Sequence, residues 1–124
     1  MQQQAKKFQP IDLPDTNVIW SARYVIAYVE GAGDENTKRN DGLGVDFRVC
    51  KGKHRGLGLS THFPATFKGK RRLSHFCRAV GIFGRLESPD QLVGKKLRLR
   101  VVPSYYFYRG RRYREYRITR FHPV

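Results

Sequence analysis

Between Tyr105 and Arg117 the chain reads Tyr-Tyr-Phe-Tyr-Arg-Gly-Arg-Arg-Tyr-Arg-Glu-Tyr-Arg. Tyr105, Tyr106, Phe107, Tyr108, Tyr113 and Tyr116 thus alternate with or abut Arg109, Arg111, Arg112, Arg114 and Arg117 around Gly110. A flat ring can stack on a nucleobase, and a guanidinium can neutralise a phosphate or stack in its own right, so this mixture suits the holding of unpaired nucleic acid. Such stacking tolerates any base, because every base has a π-face. About half of these rings, Phe107 and Tyr116 first, are expected in the core instead.

Charge supports the same chemistry. The net charge of +15 over 124 residues is unevenly placed: residues 1–50 hold six Lys or Arg against seven Asp or Glu, whereas residues 51–124 hold nineteen against three. A field of one sign concentrated on part of a surface attracts polyanions and is screened by salt. A face serving solubility alone has no need of rings beside its charges. Attachment to a membrane calls for a basic amphipathic helix with a broad apolar stripe, and none is evident.

Two further groups of cations join the aromatic segment as candidates. Lys51, Lys53, His54 and Arg55 form a basic turn that grips phosphates or is simply a solvated tip. Lys96, Arg98 and Arg100 alternate with apolar residues, and Lys68, Lys70, Arg71 and Arg72 precede a helical stretch.

Enzymatic chemistry finds less support. Of the ten acidic residues only Asp34, Glu35 and Asp41 cluster, in a polar loop that reads more simply as solvated than as a metal site. Cys50 with His54, and His75 with Cys77, lack the regular paired spacing of a structural zinc site. Gly42 and Gly56 enter strands rather than helices, so neither begins a phosphate loop. The expectation is a protein without catalytic residues, metal or cofactor, with Cys50 and Cys77 as reduced, buried thiols. The segment Met-Gln-Gln-Gln-Ala-Lys-Lys has no apolar stretch of a signal peptide, and no run of about eighteen apolar residues occurs, which predicts a cytoplasmic location.

The elements that must position these groups follow from periodicity. Residues 1–17, with Pro10, Pro14 and three successive glutamines, read as an N-terminal arm, and residues 18–124 as one domain. Val18 to Glu30 predicts a long, curved first strand, followed by a polar loop from Gly31 to Gly42. Leu43, Val45, Phe47 and Val49 alternate as a second strand; Leu57, Leu59, Thr61 and Phe63 return as a third. Leu73, Phe76, Cys77 and Val80 fall at i, i+3, i+4 and i+7, predicting a helix from about Arg71 to Val80 closed by Gly81. Ser88 to Leu92 suits one helical turn with Pro89 at its start. Leu97, Leu99 and Val101 mark a fourth strand, Tyr108 to Tyr113 a turn, and Arg114 to Phe121 a fifth strand whose faces do not separate cleanly.

The order is β-β-β-α-β-β, all-β with one short helix, as in the five-stranded Greek-key barrel of the OB-fold, whose second and third strands and flanking loops bind oligonucleotides. On that fold Phe47 is equally suited to core or binding face. Trp20 suits the core better than a stacking platform, yet both are kept as candidate contacts.

The segment Leu73 to Gly81, Leu-Ser-His-Phe-Cys-Arg-Ala-Val-Gly, then Leu92-Val93-Gly94-Lys95-Lys96-Leu97, then the ending Tyr116-Arg117-Ile118-Thr119-Arg120-Phe121-His122-Pro123, resembles a family of small phage and prophage proteins. That family is regarded as OB-fold single-stranded DNA-binding proteins, commonly encoded beside replication or recombination genes. The resemblance covers residues 18–123 and implies sequence-tolerant binding of single-stranded DNA, with no membrane partner. Monomers, homodimers and higher oligomers are all compatible with it. The chain departs from the well-studied bacterial single-strand binders in ending Phe-His-Pro-Val where they carry an acidic tail, so recruitment of partners by such a tail is not expected. Three rivals stand beside this reading: an RNA-binding accessory protein on the same fold, a small metal-dependent nuclease using Asp34, Glu35 and Asp41, and a binder of an acidic protein.

Overall fold

Alternation between apolar and polar side chains places the strands. Val25, Ala27 and Val29 of β1 (Arg23–Asp34) and Leu43, Val45, Phe47 and Val49 of β2 (Gly42–Val49) are buried on one side of the sheet. Leu59 and Phe63 of β3 (Gly58–Pro64) and Leu97, Leu99 and Val101 of β4 (Lys96–Tyr108) join them, with Ile118 of β5 (Arg111–His122). Burying a Val, Leu, Ile or Phe side chain contributes about 1.5–3 kcal/mol, which favours covering one apolar face of the sheet. The computed structural model describes residues 7–12, 18–35 and 41–124; most of the segment read as an N-terminal arm, and positions 36–40 of the polar loop, lie outside the described residues.

The strands form a single antiparallel sheet in the order β3-β2-β1-β4-β5, with α1 (Phe67–Ala79) between β3 and β4 in the chain. This is the expected β-β-β-α-β-β arrangement, mostly β with one short helix. β1 is the shared strand: Arg23–Tyr28 pair with β4 and Ala27–Asp34 with β2, with a bulge between Val29 and Gly31. A bulge increases local twist, letting one strand curve from one partner to the other.

The first strand and the helix differ in extent from the sequence reading. The first strand starts at Arg23 rather than Val18 and runs on through Gly31 and Gly33 to Asp34. Those glycines carry turn propensity, but pairing from Gly31↔Asp46 to Asp34↔Leu43 satisfies their backbone and overrides it. The helix starts at Phe67, ahead of the apolar periodicity, because the Thr66 side chain accepts a 3.1 Å hydrogen bond from the Gly69 N–H. The first turn, Phe67-Lys68-Gly69-Lys70, turns only Gly69 inward, against the Pro64 carbonyl, so no apolar side chain announces it. Pro89–Leu92 forms the expected single turn, capped by Ser88.

β3 and β5 are the sheet's two edges, and among the described residues no backbone ladder joins them. Instead Arg72 of α1 spans the seam. It donates to the His62 carbonyl of β3 at 3.4 Å and to the Ile118 carbonyl of β5 at 2.7 Å, with its guanidinium over the rings of Phe63 and Phe121 at 4.9 and 5.2 Å. Burial pushes its pKa down from the ordinary arginine value. Arg72, a candidate contact in the sequence, thus gives two of its five N–H donors to the two sheet edges. Arg72→Met, which keeps the apolar stem but removes the charged donors, is expected to lower stability by about 2 kcal/mol in urea unfolding. An unchanged midpoint would contradict the role of a clamp.

Candidate nucleic-acid interface

β4 parts from β1 at Val101, which faces Arg23, and beyond that point pairs only with β5. The pairs Val102↔Arg117 to Tyr108↔Arg111 make a free two-stranded ribbon, which at ~3.3 Å per residue projects about 20 Å from the sheet. Arg109 and Gly110 close it with φ of 50° and 75°, the two positive values of a type I′ turn, whose twist matches that of the strands. The turn is thus two residues long, shorter than the Tyr108–Tyr113 span expected from sequence. Both faces of a free ribbon meet solvent, so its sequence carries no apolar–polar alternation to reveal the strands.

Cross-strand partners share a face. Tyr106, Tyr108, Arg111, Tyr113 and Arg117 continue the outer face of the sheet, and the rings of Tyr106 and Tyr113 stack with centroids 5.4 Å apart at 19°. Tyr105, Phe107, Arg112 and Arg114 continue the inner face past Val101 and Ile118. There the Arg112 guanidinium lies 4.4 Å from the Tyr105 ring centroid, and that of Arg114 lies 4.3 Å from Trp20 and 5.7 Å from Tyr105. Hydrogen bonding to Tyr105, and more weakly to Tyr116, raises the Arg114 pKa further. Trp20 is held near this face by its buried neighbour Ile19, whose N–H donates to the Tyr116 hydroxyl at 3.1 Å. The result is a ladder of alternating rings and guanidiniums, Trp20, Arg114, Tyr105, Arg112.

The ribbon carries Tyr105, Tyr106, Tyr108, Arg109, Arg111, Arg112 and Tyr113, all exposed. Phe107 is 74% exposed, not core as expected, and of the six rings only Tyr116 is half-buried. Trp20 lies near the inner face through Arg114 but leaves the other rings exposed. Trp20, also expected in the core, is 70% exposed. Phe47 is corrected in the opposite direction: at 1% exposure, edge-on to Phe76, it has no face for a base. The outer side of β2 and β3 bears Asp46, Arg48, Ser60 and His62, without Phe, Tyr or Trp. Arg48 is held there by Glu30 through two 2.8 Å hydrogen bonds, which keep the Glu30 carboxyl below the usual range.

Lys51, Lys53 and Arg55 are exposed on the loop between β2 and β3, but His54, 4% exposed, turns inward. A guanidinium has only donors, so His54 Nε2 accepts the 2.7 Å hydrogen bond from Arg23. Arg23 faces Val101, so this loop sits at the end of the sheet from which the ribbon projects. Lys96, Arg98 and Arg100 line the outer face of β4 opposite Tyr28, Ile26 and Tyr24 of β1. Arg120 and His122 of β5 flank them, and Tyr24 rests against His122 with ring centroids 5.6 Å apart. Tyr24, Tyr28 and Arg120 were not among the sequence candidates. The phase of Val25, Ala27 and Val29 would have revealed the two tyrosines as outward-facing. Lys70 is exposed on α1.

Glu115 lies on the ribbon's outer face, where its carboxylate accepts from the Ser104 hydroxyl at 3.1 Å and stands 3.9 Å from Arg117, but the acidic cluster stands elsewhere. Asp34 and Glu35 lie at the opposite end of β1 from Arg23, Asp41 directly precedes β2, and Glu35 approaches His62 at 3.4 Å. Among the described residues no group of three or more His, Cys, Asp or Glu side chains is placed to hold a metal ion. Cys50 and Cys77 are free thiols; Cys77 is buried as expected, which raises its pKa, whereas Cys50 is only half-buried, with its Sγ directed at the Ile26 carbonyl. No helix among the described residues is long and apolar enough to cross a membrane.

Arg109 is the one non-glycine residue of positive φ among the described residues, at a position where asparagine is favoured. Arg109→Asn is expected to raise stability by up to about 1 kcal/mol in urea unfolding, because asparagine tolerates the left-handed region better. A loss of stability would show that the guanidinium, 5.3 Å from the Tyr108 ring centroid, stabilises the turn.

The fold and site define a small, mostly β protein with OB-like connectivity and a projecting aromatic and guanidinium ribbon. Compared with protein-family models and with curated proteins, the chain matches none.

Proposed function

We propose that the protein binds single-stranded DNA with little sequence preference and without chemically altering it, protecting the strand during phage or mobile-element replication or recombination. The observation that carries this reading is the ribbon itself, with exposed rings on both faces and guanidiniums between them. Unpaired bases stack on Phe107 and on the outer faces of the Tyr106–Tyr113 pair, while Arg111, Arg112 and Arg117 meet phosphates. Lys51, Lys53 and Arg55 extend the cationic surface at the ribbon's foot. Duplex bases are already stacked on one another, so this platform favours the single strand. The family resemblance supports the phage setting, and the place of action is then the host cytoplasm.

Stacking and phosphate contacts serve DNA and RNA alike, and contacts to the 2′-hydroxyl distinguish them. Labelled oligothymidylate bound to the protein is to be displaced by unlabelled DNA or RNA of equal length. Displacement at lower DNA concentrations is expected. More effective displacement by RNA would favour the RNA-binding rival, and failure of the labelled strand to bind would end both. Shortening of the labelled strand on addition of magnesium would favour the nuclease.

A further inference from the structure

One cationic surface lies apart from the ribbon. Lys68, Arg71, Arg72 and His75 fall at i, i+3, i+4 and i+7 on one face of α1, and across from them stand Arg120 and His122 of β5. Between them runs an open groove of about 500 Å³ floored by Phe121. No Asp or Glu among the described residues lines it. The first turn of α1 has no acidic residue either, so Lys68, Lys70 and Arg71 stand near the positive end of the helix dipole and close to one another. That arrangement costs stability in the free protein, and a bound polyanion relieves it.

A second trough, of about 550 Å³, follows the seam between β3 and β5. It shares Arg72 and Thr119 with the first groove and reaches Tyr116 and Arg117 at the foot of the ribbon. The two troughs meet at Arg72 and Thr119 and together reach from the foot of the ribbon, where Glu115 also lines the second, to α1. We infer that the groove between α1 and β5 is a second segment of the binding path, holding the phosphodiester backbone of the same single strand after it leaves the ribbon. The inference rests on the ribbon reading. Phe121, half-buried beneath Arg72, offers no open ring, so the groove adds phosphate contacts without base stacking.

The test uses the full chain and two labelled oligothymidylates, of about 6 and about 20 nucleotides, the first near the lower end of the ~4–16 nucleotide site of one OB-fold and the second beyond its upper end. In the variant Lys68→Ala/Arg71→Ala/Arg120→Ala, Arg72 is kept so that the seam survives. This variant is expected to bind the short strand as the wild type does and the long strand roughly tenfold or more weakly. For the long strand alone, the slope of log affinity against log salt should become shallower by about 2, from ~0.7 per phosphate contact. Arg71→Lys/Arg120→Lys, which keeps the charge, is expected to retain long-strand affinity. Equal loss on both lengths, or none on the long strand, overturns the groove and leaves the ribbon standing. A wild type that binds neither length overturns both.

Discussion

Replacing Tyr106 and Phe107 together by alanine is expected to weaken binding of single-stranded DNA roughly thirtyfold or more while lowering stability by no more than about 1 kcal/mol, the contribution of the lost Tyr106–Tyr113 cross-strand stack. The two rings sit on opposite faces of the ribbon, so the double variant removes a stacking surface from each. A base stacked on an aromatic side chain contributes about 1–3 kcal/mol by alanine substitution, so two lost stacks amount to about 2–6 kcal/mol. Stability is largely spared because Phe107 is 74% exposed and Tyr106 is 47% exposed. The ribbon's cross-strand hydrogen bonds do not depend on either ring. Affinity by titration and stability by urea unfolding separate the two effects. Unchanged affinity would mean that the ribbon is not the platform, and a large loss of stability would mean that its rings serve the fold.

Phe76→Ala is expected to do the reverse. Phe76 is fully buried, and its ring meets Phe47 edge-on at 5.5 Å, lies parallel to Phe63 at 5.5 Å and approaches Phe121 at 5.2 Å. It is the side chain by which α1 fills the space between β2, β3 and β5. Truncating a buried phenylalanine costs about 3–5 kcal/mol through lost transfer energy and the cavity left behind. Against a total stability of about 5–15 kcal/mol, that is a large share. Thermal unfolding should fall by more than about 10 °C, since 1 kcal/mol moves the midpoint by several degrees in a domain of this size. A midpoint within about 3 °C of the wild type would show that α1 is not held by this cluster.

The contrast between these two phenylalanines shows what could be read from sequence and what could not. Where one face of a strand meets the core, as in Leu43 to Val49 and Leu97 to Val101, period-two alternation marked the inward residues correctly. The same alternation already placed Phe47 inside; keeping it as a contact came from analogy with the OB-fold binding face. Phe107 was misplaced because alternation says nothing where neither face is covered. The start of α1 was missed because its signal is a cap, Thr66, and an inward glycine, Gly69. Arg72 looked like any cation in a basic run, since its bonds to His62 and Ile118 lie 10 and 46 residues away in the chain. Trp20 could not be placed because its partner, Arg114, lies on the far strand of the ribbon.

Electrostatics also resolves in space what was only a gradient along the chain. Asp34 and Glu35 occupy one end of β1, and the ribbon and the Lys51–Arg55 loop stand at the other. On the proposed reading, such a field would draw a polyanion to the ribbon end first.

The most direct test of the central claim is fluorescence anisotropy with end-labelled oligothymidylate and a duplex of equal length, each titrated with the protein at low and at moderate salt. The account predicts tighter binding to the single strand than to the duplex at both salt concentrations, with affinity for the single strand falling as salt rises. Equal affinity for the two would contradict it, reducing the ribbon to a patch of positive charge on which the rings play no part.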